Sequence, residues 1–411
     1  MIYVKLSLDC GEFMKNIAFV IQRYGEEIVG GSETYCRELA ERLVNTYNVD
    51  ILTTCAKSYE SWKNEYPEGK TVENGVTVLR FRNDKKRNRL FGRYTKFLQK
   101  KKNKTVLDEV TWMNLQGPYS KNLLAYLENH QDNYDLIIFV TYLYFNSYYG
   151  LQIAPHKSVL IPTAHDEPPI YYSMFNTVFH LAQGHVFLTE EEKDFVFKRF
   201  PGLQSNYRVI GMGIDDQTKQ LTATTEIDSK IEKAASEDYV VYVGRIDTEK
   251  NIGELVDYFN RFIKDTGSDL RLYLTGSLQM DIPKQKNISY LGFVSEQEKK
   301  YLLEHARAFI MPSRFESFSI ATLEAMNFGA PVFVNKSCEV LNGHVERSQA
   351  GLSYRNYEEF KDGLQSMLTN TTLVENMRGN GKKYVSQHYE WDVIIKKYVE
   401  FIDECCQNTK R

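Results

Sequence analysis

ARAFIMPSRFESFSIATLEAMNFGAPVFVN, residues 306–335, opens on an apolar run (306–312), passes a polar loop, and carries Ile320, Leu323 and Met326 at near-helical spacing. It ends on a second apolar run that follows Gly329 and Pro331. Gly then Pro is a helix stop, so the spacing predicts a helix over 319–327 between two strands. Strand, helix and strand in that order form a βαβ unit, the building block of parallel sheets covered by helices. The stretch also holds two carboxylates, Glu316 and Glu324, separated by seven residues of which none is charged. Glu316 falls in the loop feeding the helix, beside Ser317 and Ser319 as candidate N-caps, and Glu324 falls on a helix face crowded by Ala321, Leu323 and Ala325. A single Glu in either place ordinarily complements the helix dipole or is solvated, so context must decide what the pair does.

The same alternation extends in both directions. Upstream, 16–22, 49–54, 76–81, 135–140, 158–166 and 185–189 read as strands, with a helix over 32–47 lined by Leu39, Ala40 and Leu43. Nearer the quoted stretch, strands are predicted at 239–246, 269–276 and 287–293, with helices at 253–265 and 296–305. Ser295 with Glu298, and Thr189 with Glu192, fit capping boxes. The polar, Thr-rich segment 211–230 is the expected linker. The fold class is therefore α/β, two Rossmann-like doubly wound domains facing a central cleft. Residues 1–210 form the first domain, 211–390 the second, and 391–411 a final helix packing back towards the first domain. Residues 1–13 precede a second methionine, Met14, and read as an upstream start or an added strand.

At 411 residues the chain suits two ordinary domains. A net charge of -3 with 26% charged and 42% hydrophobic residues describes a globular protein and disfavours nucleic acid as a partner. Six cysteines lie scattered without CxxC or Cys/His ligand spacing, which points to reduced thiols and to no metal site. No apolar run approaches the roughly 20 residues of a membrane span and no leader pattern opens the chain, so the expected location is cytoplasmic. One block departs from this balance: residues 84–104 hold ten Lys or Arg against one Asp. Within it Leu90, Phe91, Tyr94, Phe97 and Leu98 recur at helical spacing, a pattern suited to a short helix on an anionic membrane surface or to a solvated insertion.

In doubly wound sheets ligands bind in loops beyond the carboxyl ends of the strands. After the first strand comes Gly30–Gly31 at a helix start, where backbone N–H groups can approach a phosphate. After the first strand of the second domain, GRIDTEKN places Arg245 and Lys250 in one loop, a planar fork beside a flexible point charge. The helix start at Ser319 and Ile320 supplies further unpaired N–H groups.

In these features the chain resembles the family 4 glycosyltransferases, from about residue 16 onward and most strongly in its second half. Glu316 and Glu324 match that family's Glu-x7-Glu signature, Arg245 and Lys250 its diphosphate loop, Gly30 and Gly31 its N-terminal glycine pair. His165 in PTAHDEP matches its histidine after a first-domain strand. The resemblance implies the GT-B fold and a retaining, metal-independent transferase of the hexosyl type. Its donor would be a nucleotide-diphosphate sugar, with no cofactor, and its acceptor a glycan or lipid-linked molecule in the synthesis of cell-surface polysaccharide or glycoconjugate. It implies that Glu316 and His165 are catalytic, that Arg245, Lys250, Gly30, Gly31, Ser319 and Ile320 hold the donor diphosphate, that Glu324 accepts both ribose hydroxyls, and that the base is received near Val294, with Gly292 allowing close approach. Ser317 and Ser319 stand where the family commonly has Gly, and Asn251 replaces a Gly after the loop lysine, a mild change because Asn tolerates the left-handed conformation. Nucleotide-sugar hydrolases or epimerases share the architecture, although the Glu316/Glu324 spacing argues against them. A silent, membrane-tethered nucleotide-sugar-binding protein is the reading from another class, opposed by the intact Glu316, His165, Arg245 and Lys250. The Tyr-rich 141–150 and 171–175 read chiefly as packing.

Overall fold

A computed structural model describes residues 14–28, 30–215 and 227–409. The extension 1–13 and the middle of the expected linker, 216–226, lie outside the described residues. The N-terminal sheet has eight strands: β1 (Asn16–Val20), β2 (Asn48–Thr54), β3 (Gly69–Glu73), β4 (Val76–Phe81), β5 (Leu136–Val140), β6 (Ser158–Ile161), β7 (Gly184–Phe187) and β8 (Asn206–Val209). Their order is β3-β4-β2-β1-β5-β6-β7-β8, with only β3 antiparallel. β1 sits at the centre, Phe19 opposite Ile51 on one side and Ile138 on the other. Strands buried on both faces read as continuous apolar runs, as LIIFV of β5 does.

The C-terminal sheet comprises β9 (Tyr239–Val243), β10 (Arg271–Thr275), β11 (Ile288–Gly292), β12 (Ala308–Met311), β13 (Val332–Asn335) and β14 (Gly351–Tyr354). It is wholly parallel, in the order β11-β10-β9-β12-β13-β14. In each sheet the order reverses beside the first strand of the domain, so the loops after β1 and β9 open at the crevice where such sheets take ligands.

One apolar core runs from a face of the N-terminal sheet through the last helix into the C-terminal domain, and a second fills the other N-terminal face. That last helix, Trp391–Thr409, packs on the N-terminal domain. Its Tyr398 hydroxyl meets that of Tyr35, and its Asp403 accepts from Tyr47 at 2.9 Å and pairs with Lys15 at 2.7 Å. Gly213 is obligatory where the chain crosses between domains, because a Cβ there would lie 2.2 Å from the Trp391 ring.

Three expectations need correction. The first helix ends at Leu43, short of 47. The basic helix forms, as Phe91–Lys100, but much of its apolar face is spent on the neighbouring helix Val106–Gln116: Leu98 is buried, Phe91 packs 5.7 Å from Trp112, and the Tyr94 hydroxyl donates to Asp108 O. Its exposed apolar groups are Leu90 and Phe97, joined by Val106 and Leu107 from that neighbour. Finally, Thr189 caps the helix Glu190–Arg199 by accepting from Glu192 N, yet the Glu192 carboxylate does not return to the cap. It is buried and serves elsewhere.

Candidate functional site

A cavity of about 650 Å³ opens between the domains, lined by His165, Asp166, Tyr171 and Glu192 on one wall and by Arg314, Phe315, Glu316 and Cys338 on the other. The structure thus brings His165 and Glu316 to one space from opposite domains. Arg245, Lys250, Gly30, Gly31, Ser319, Ile320, Glu324 and Val294 are not among its lining residues, although Lys250 is bonded to one of them, Glu316.

The C-terminal wall is tied together by side chains. Lys250 Nζ donates to Glu316 Oε1 at 2.6 Å, joining the loop after β9 to the loop after β12. Asp247 Oδ1 accepts from Lys250 N at 2.7 Å and staples the loop, and Arg245 lies 3.3 Å from Asp247 and 3.2 Å from Glu249. Burial works against the Arg245 cation, but Asp247 and Glu249 more than offset it and hold its pKa above the ordinary value. Asn251 adopts φ 59°, in the left-handed region, which frees its amide to donate to Glu254 Oε1 at 2.7 Å and Pro312 O at 3.1 Å. Arg314 completes this network, donating to Glu254 Oε2 at 2.6 Å.

The helix that carries the second glutamate runs Ile320–Asn327, and no side chain caps its N-terminus. Ser319 sits at φ 64°, where Gly is favoured, and its hydroxyl meets Thr322 Oγ1 at 2.8 Å instead of capping. His344 supports this turn from beneath, its Nε2 2.9 Å from Phe318 O, so that nitrogen carries the proton that donates. Burial and then Arg347 lower its pKa to about 4 and keep the ring neutral. Glu324 pairs with Lys299 at 2.9 Å, and Lys299 also reaches Glu296 at 2.6 Å. Burial raises the Glu324 pKa against the pull of Lys299. Val294 precedes the helix Glu296–His305 that bears Lys299, so the residues expected to meet base and ribose share one corner.

On the N-terminal wall, Gly30 caps the helix Gly31–Leu43 in extended conformation. A Cβ on Gly30 would come 2.4 Å from Glu33 Oε2, whereas one on Gly31 would meet open space. Glu33 is buried and accepts from Gln22 and from Arg23 Nε, each at 2.9 Å.

Sequence reasoning missed two features. Glu192 accepts backbone N–H bonds from Ala164 at 2.5 Å and Leu188 at 2.6 Å, so it fixes the residue preceding His165; burial pushes its pKa up to about 8. The only signal was its place three residues after Thr189. Across the cleft, the helix Glu339–Ser348 begins at the cavity with Cys338 and no side-chain cap, a second uncapped start that the sequence does not mark. Glu191 pairs with Arg347 at 2.5 Å, and Thr189 Oγ1 donates to Ser317 O at 3.4 Å, so the two walls are in direct contact here.

Residues 223–384 match the family model described as Glycosyl transferases group 1. The chain is 25% identical over 410 residues to an uncharacterized glycosyltransferase of Methanocaldococcus jannaschii, covering 93% of this chain and 96% of that protein. Among solved structures, the sucrose-phosphate synthase of Thermosynechococcus elongatus superposes with a TM-score of 0.70 at 17% identity, covering 95% and 98% of the two chains. Anabaena HepE, solved with UDP and glucose, superposes at 0.66 and 15% identity, covering 95% and 100%. These neighbours share the GT-B fold with this chain.

Proposed function

We propose that the chain is a glycosyltransferase of group 1 type, supported by the family match over 223–384, and that it is a retaining, metal-independent enzyme of family 4. It moves a hexosyl group from a nucleotide-diphosphate sugar to a glycan or lipid-linked acceptor, in the synthesis of cell-surface polysaccharide or glycoconjugate. The observation that carries this reading is the Lys250–Glu316 contact at 2.6 Å, on the wall of the cleft that faces His165. The Lys250 cation rests on the Glu316 carboxylate. When a donor enters, its diphosphate competes for Lys250, and Glu316 is released towards the sugar carbon on which positive charge develops. Arg245 and the uncapped N–H groups at Ser319 and Ile320 then stabilise the departing diphosphate, which removes the need for a divalent ion. On the opposite wall Gly31 leaves open space for the phosphates, and Gly30, whose missing Cβ makes way for Glu33, sets the helix start from which backbone N–H groups reach them. Glu324 accepts the ribose hydroxyls, Val294 lies against the base, and His165 contacts the donor sugar. The capture of UDP and glucose by HepE supports a nucleotide-sugar donor.

The acceptor side includes a membrane-facing surface. Leu90, Phe97, Val106 and Leu107 are exposed among Lys96, Lys100 and Lys102, an apolar tip ringed by cations that suits an anionic bilayer. Among the described residues no helix is long and apolar enough to cross a membrane, so contact would be peripheral.

The test is a screen of UDP-, GDP- and ADP-sugars with wild type and Glu316→Gln, with and without EDTA. Glu316→Gln should lose most turnover, keep nucleotide affinity, and the wild type should be indifferent to EDTA, because the carboxylate acts on charge that appears only as the bond breaks. Unchanged turnover in Glu316→Gln refutes the assignment. Release of free sugar as the sole product in the presence of every acceptor tried would favour the hydrolase instead.

A further inference from the structure

The loop after β4 places Arg87 at the carboxyl edge of the N-terminal sheet, partly buried against aromatic rings. Its guanidinium carbon lies 4.3 Å from the centre of the Phe91 ring, 5.9 Å from Tyr59 and 6.0 Å from Trp62. Nη1 donates to Tyr59 O at 3.0 Å, while the buried Nε has no hydrogen-bond partner. Among the described residues no carboxylate lies within ion-pair distance of Arg87. Its neighbour Arg23, 5.4 Å from the same Tyr59 ring, is neutralised by buried Glu33. The ring therefore separates a paired guanidinium from one on which Glu60 acts only from beyond ion-pair distance.

A buried cation is ordinarily paired, and Arg remains charged at any physiological pH. The Tyr59 carbonyl takes Nη1 and the rings cover the guanidinium face, which leaves Nη2 without a protein partner among the described residues and open to a further task. Its position suggests what the task is. Tyr59 acts electrostatically on Arg245 from the opposite domain, and Tyr144 feels Arg87 together with Arg23, Glu33 and Glu167, the last in the His165 loop. Arg87 thus belongs to a group of N-terminal residues whose charges and rings are felt at the Arg245 loop and beside the His165 loop.

We propose that Arg87, with Tyr59 and Tyr144, forms an anion-recognition subsite that selects acceptors bearing a phosphate group. This rests on the transferase reading for the identity of the ligand as acceptor. The guanidinium fork meets phosphate oxygens in two-pronged fashion, and the flanking rings give the attached sugar or lipid an apolar seat. The phosphate can belong to a soluble sugar phosphate or to a lipid carrier.

Calorimetry with the full chain distinguishes them, using glucose 6-phosphate against glucose and, in detergent micelles, farnesyl phosphate against farnesol, with UDP titrated in parallel. In at least one pair the phosphate-bearing member should bind about tenfold tighter or more, the effect of one good charge-assisted contact, and the pair that responds names the source. Arg87→Gln should abolish the preference and leave UDP affinity within about twofold. A preference that survives Arg87→Gln, or no preference in either pair with wild type, overturns the proposal. Should Arg87→Gln not fold, Arg87→Lys keeps the charge without the fork: the preference must then fall at least threefold, and an unchanged preference overturns the proposal. Failure of the wild type to bind any nucleotide would fail the donor reading instead, while the phosphate comparison still decides this one.

Discussion

Replacing Glu192 by Gln preserves the shape of a buried side chain and changes only what it can accept. The carboxylate serves two backbone donors, Ala164 N and Leu188 N, at 2.5 and 2.6 Å. An amide offers one oxygen and turns its NH2 towards the second donor. One N–H is then left unsatisfied at a cost of about 1–3 kcal/mol, or roughly 2–4 °C in melting temperature per kcal/mol for a domain of 150–250 residues. Protonation sets how this cost varies with pH. Burial raises the folded pKa of Glu192 to about 8, so across the window from the ordinary carboxyl value up to about 8 the folded state holds a proton that the unfolded chain releases. Wild type therefore loses this contribution as pH rises through about 8, and the Gln variant, which cannot ionise, does not. Melting curves of both proteins between pH 5 and pH 9 should show the stability gap narrowing as pH rises. Parallel profiles would mean that Glu192 is ionised in both states throughout and holds no extra proton in the fold, and a gap that widens would mean that folding releases a proton instead; either refutes the reasoning. Since Ala164 precedes His165, turnover should fall in the variant while nucleotide affinity stays at the wild-type level, a split that general destabilisation would not produce.

Lys299→Met removes the cation 2.9 Å from Glu324 and lets burial raise that carboxyl further; UDP affinity should fall, more at pH 6 than at pH 8, and calorimetry showing wild-type affinity at both would remove Glu324 from the ribose site. Ser319→Gly relieves a residue at φ 64° but loses the 2.8 Å bond to Thr322, so the terms offset to within about 1 kcal/mol, whereas Ser319→Val should cost about 2 kcal/mol or more in chemical denaturation. Liposome co-sedimentation should show wild type binding anionic vesicles at low salt, and Lys96, Lys100 and Lys102 jointly changed to Glu should abolish it; Lys101 is spared because it pairs with Asp108 at 2.6 Å.

What could be read from the chain followed burial. β5, β9 and β12 announce themselves because both faces are covered, and Glu296–His305 because Ser295 and Glu298 form a reciprocal capping box. β3 and β8 escaped because they are the edges of the N-terminal sheet, where GKTVE and NYRV are largely exposed and carry no apolar run. β14, an edge of the other sheet, is better covered, but its four residues GLSY likewise carry no apolar run. The candidate site divides in a similar way. Glu316, Lys250 and Arg245 were legible because each is a charge in a loop after a strand. Glu192 was not, because its partners are backbone groups, one of them 28 positions away, and backbone leaves no trace in residue type. Arg87 was hidden in plain view: among the ten cations of 84–104, nothing local tells which one turns inward.

The last helix gives the molecule a particular kind of joint. The polypeptide leaves the first domain beyond β8 and returns to it at Trp391, and the two passages lie side by side, with Ile214 N donating to Tyr389 O at 2.7 Å and Arg42 stacked 4.1 Å from the Trp391 ring. A body tethered at a single point can swivel in any direction; one tethered along a short double seam keeps chiefly the swing about that seam. Any motion of the C-terminal domain would then be channelled into opening and shutting, as a cover moves on its spine. Along that swing Glu316 keeps facing the same wall, that of His165.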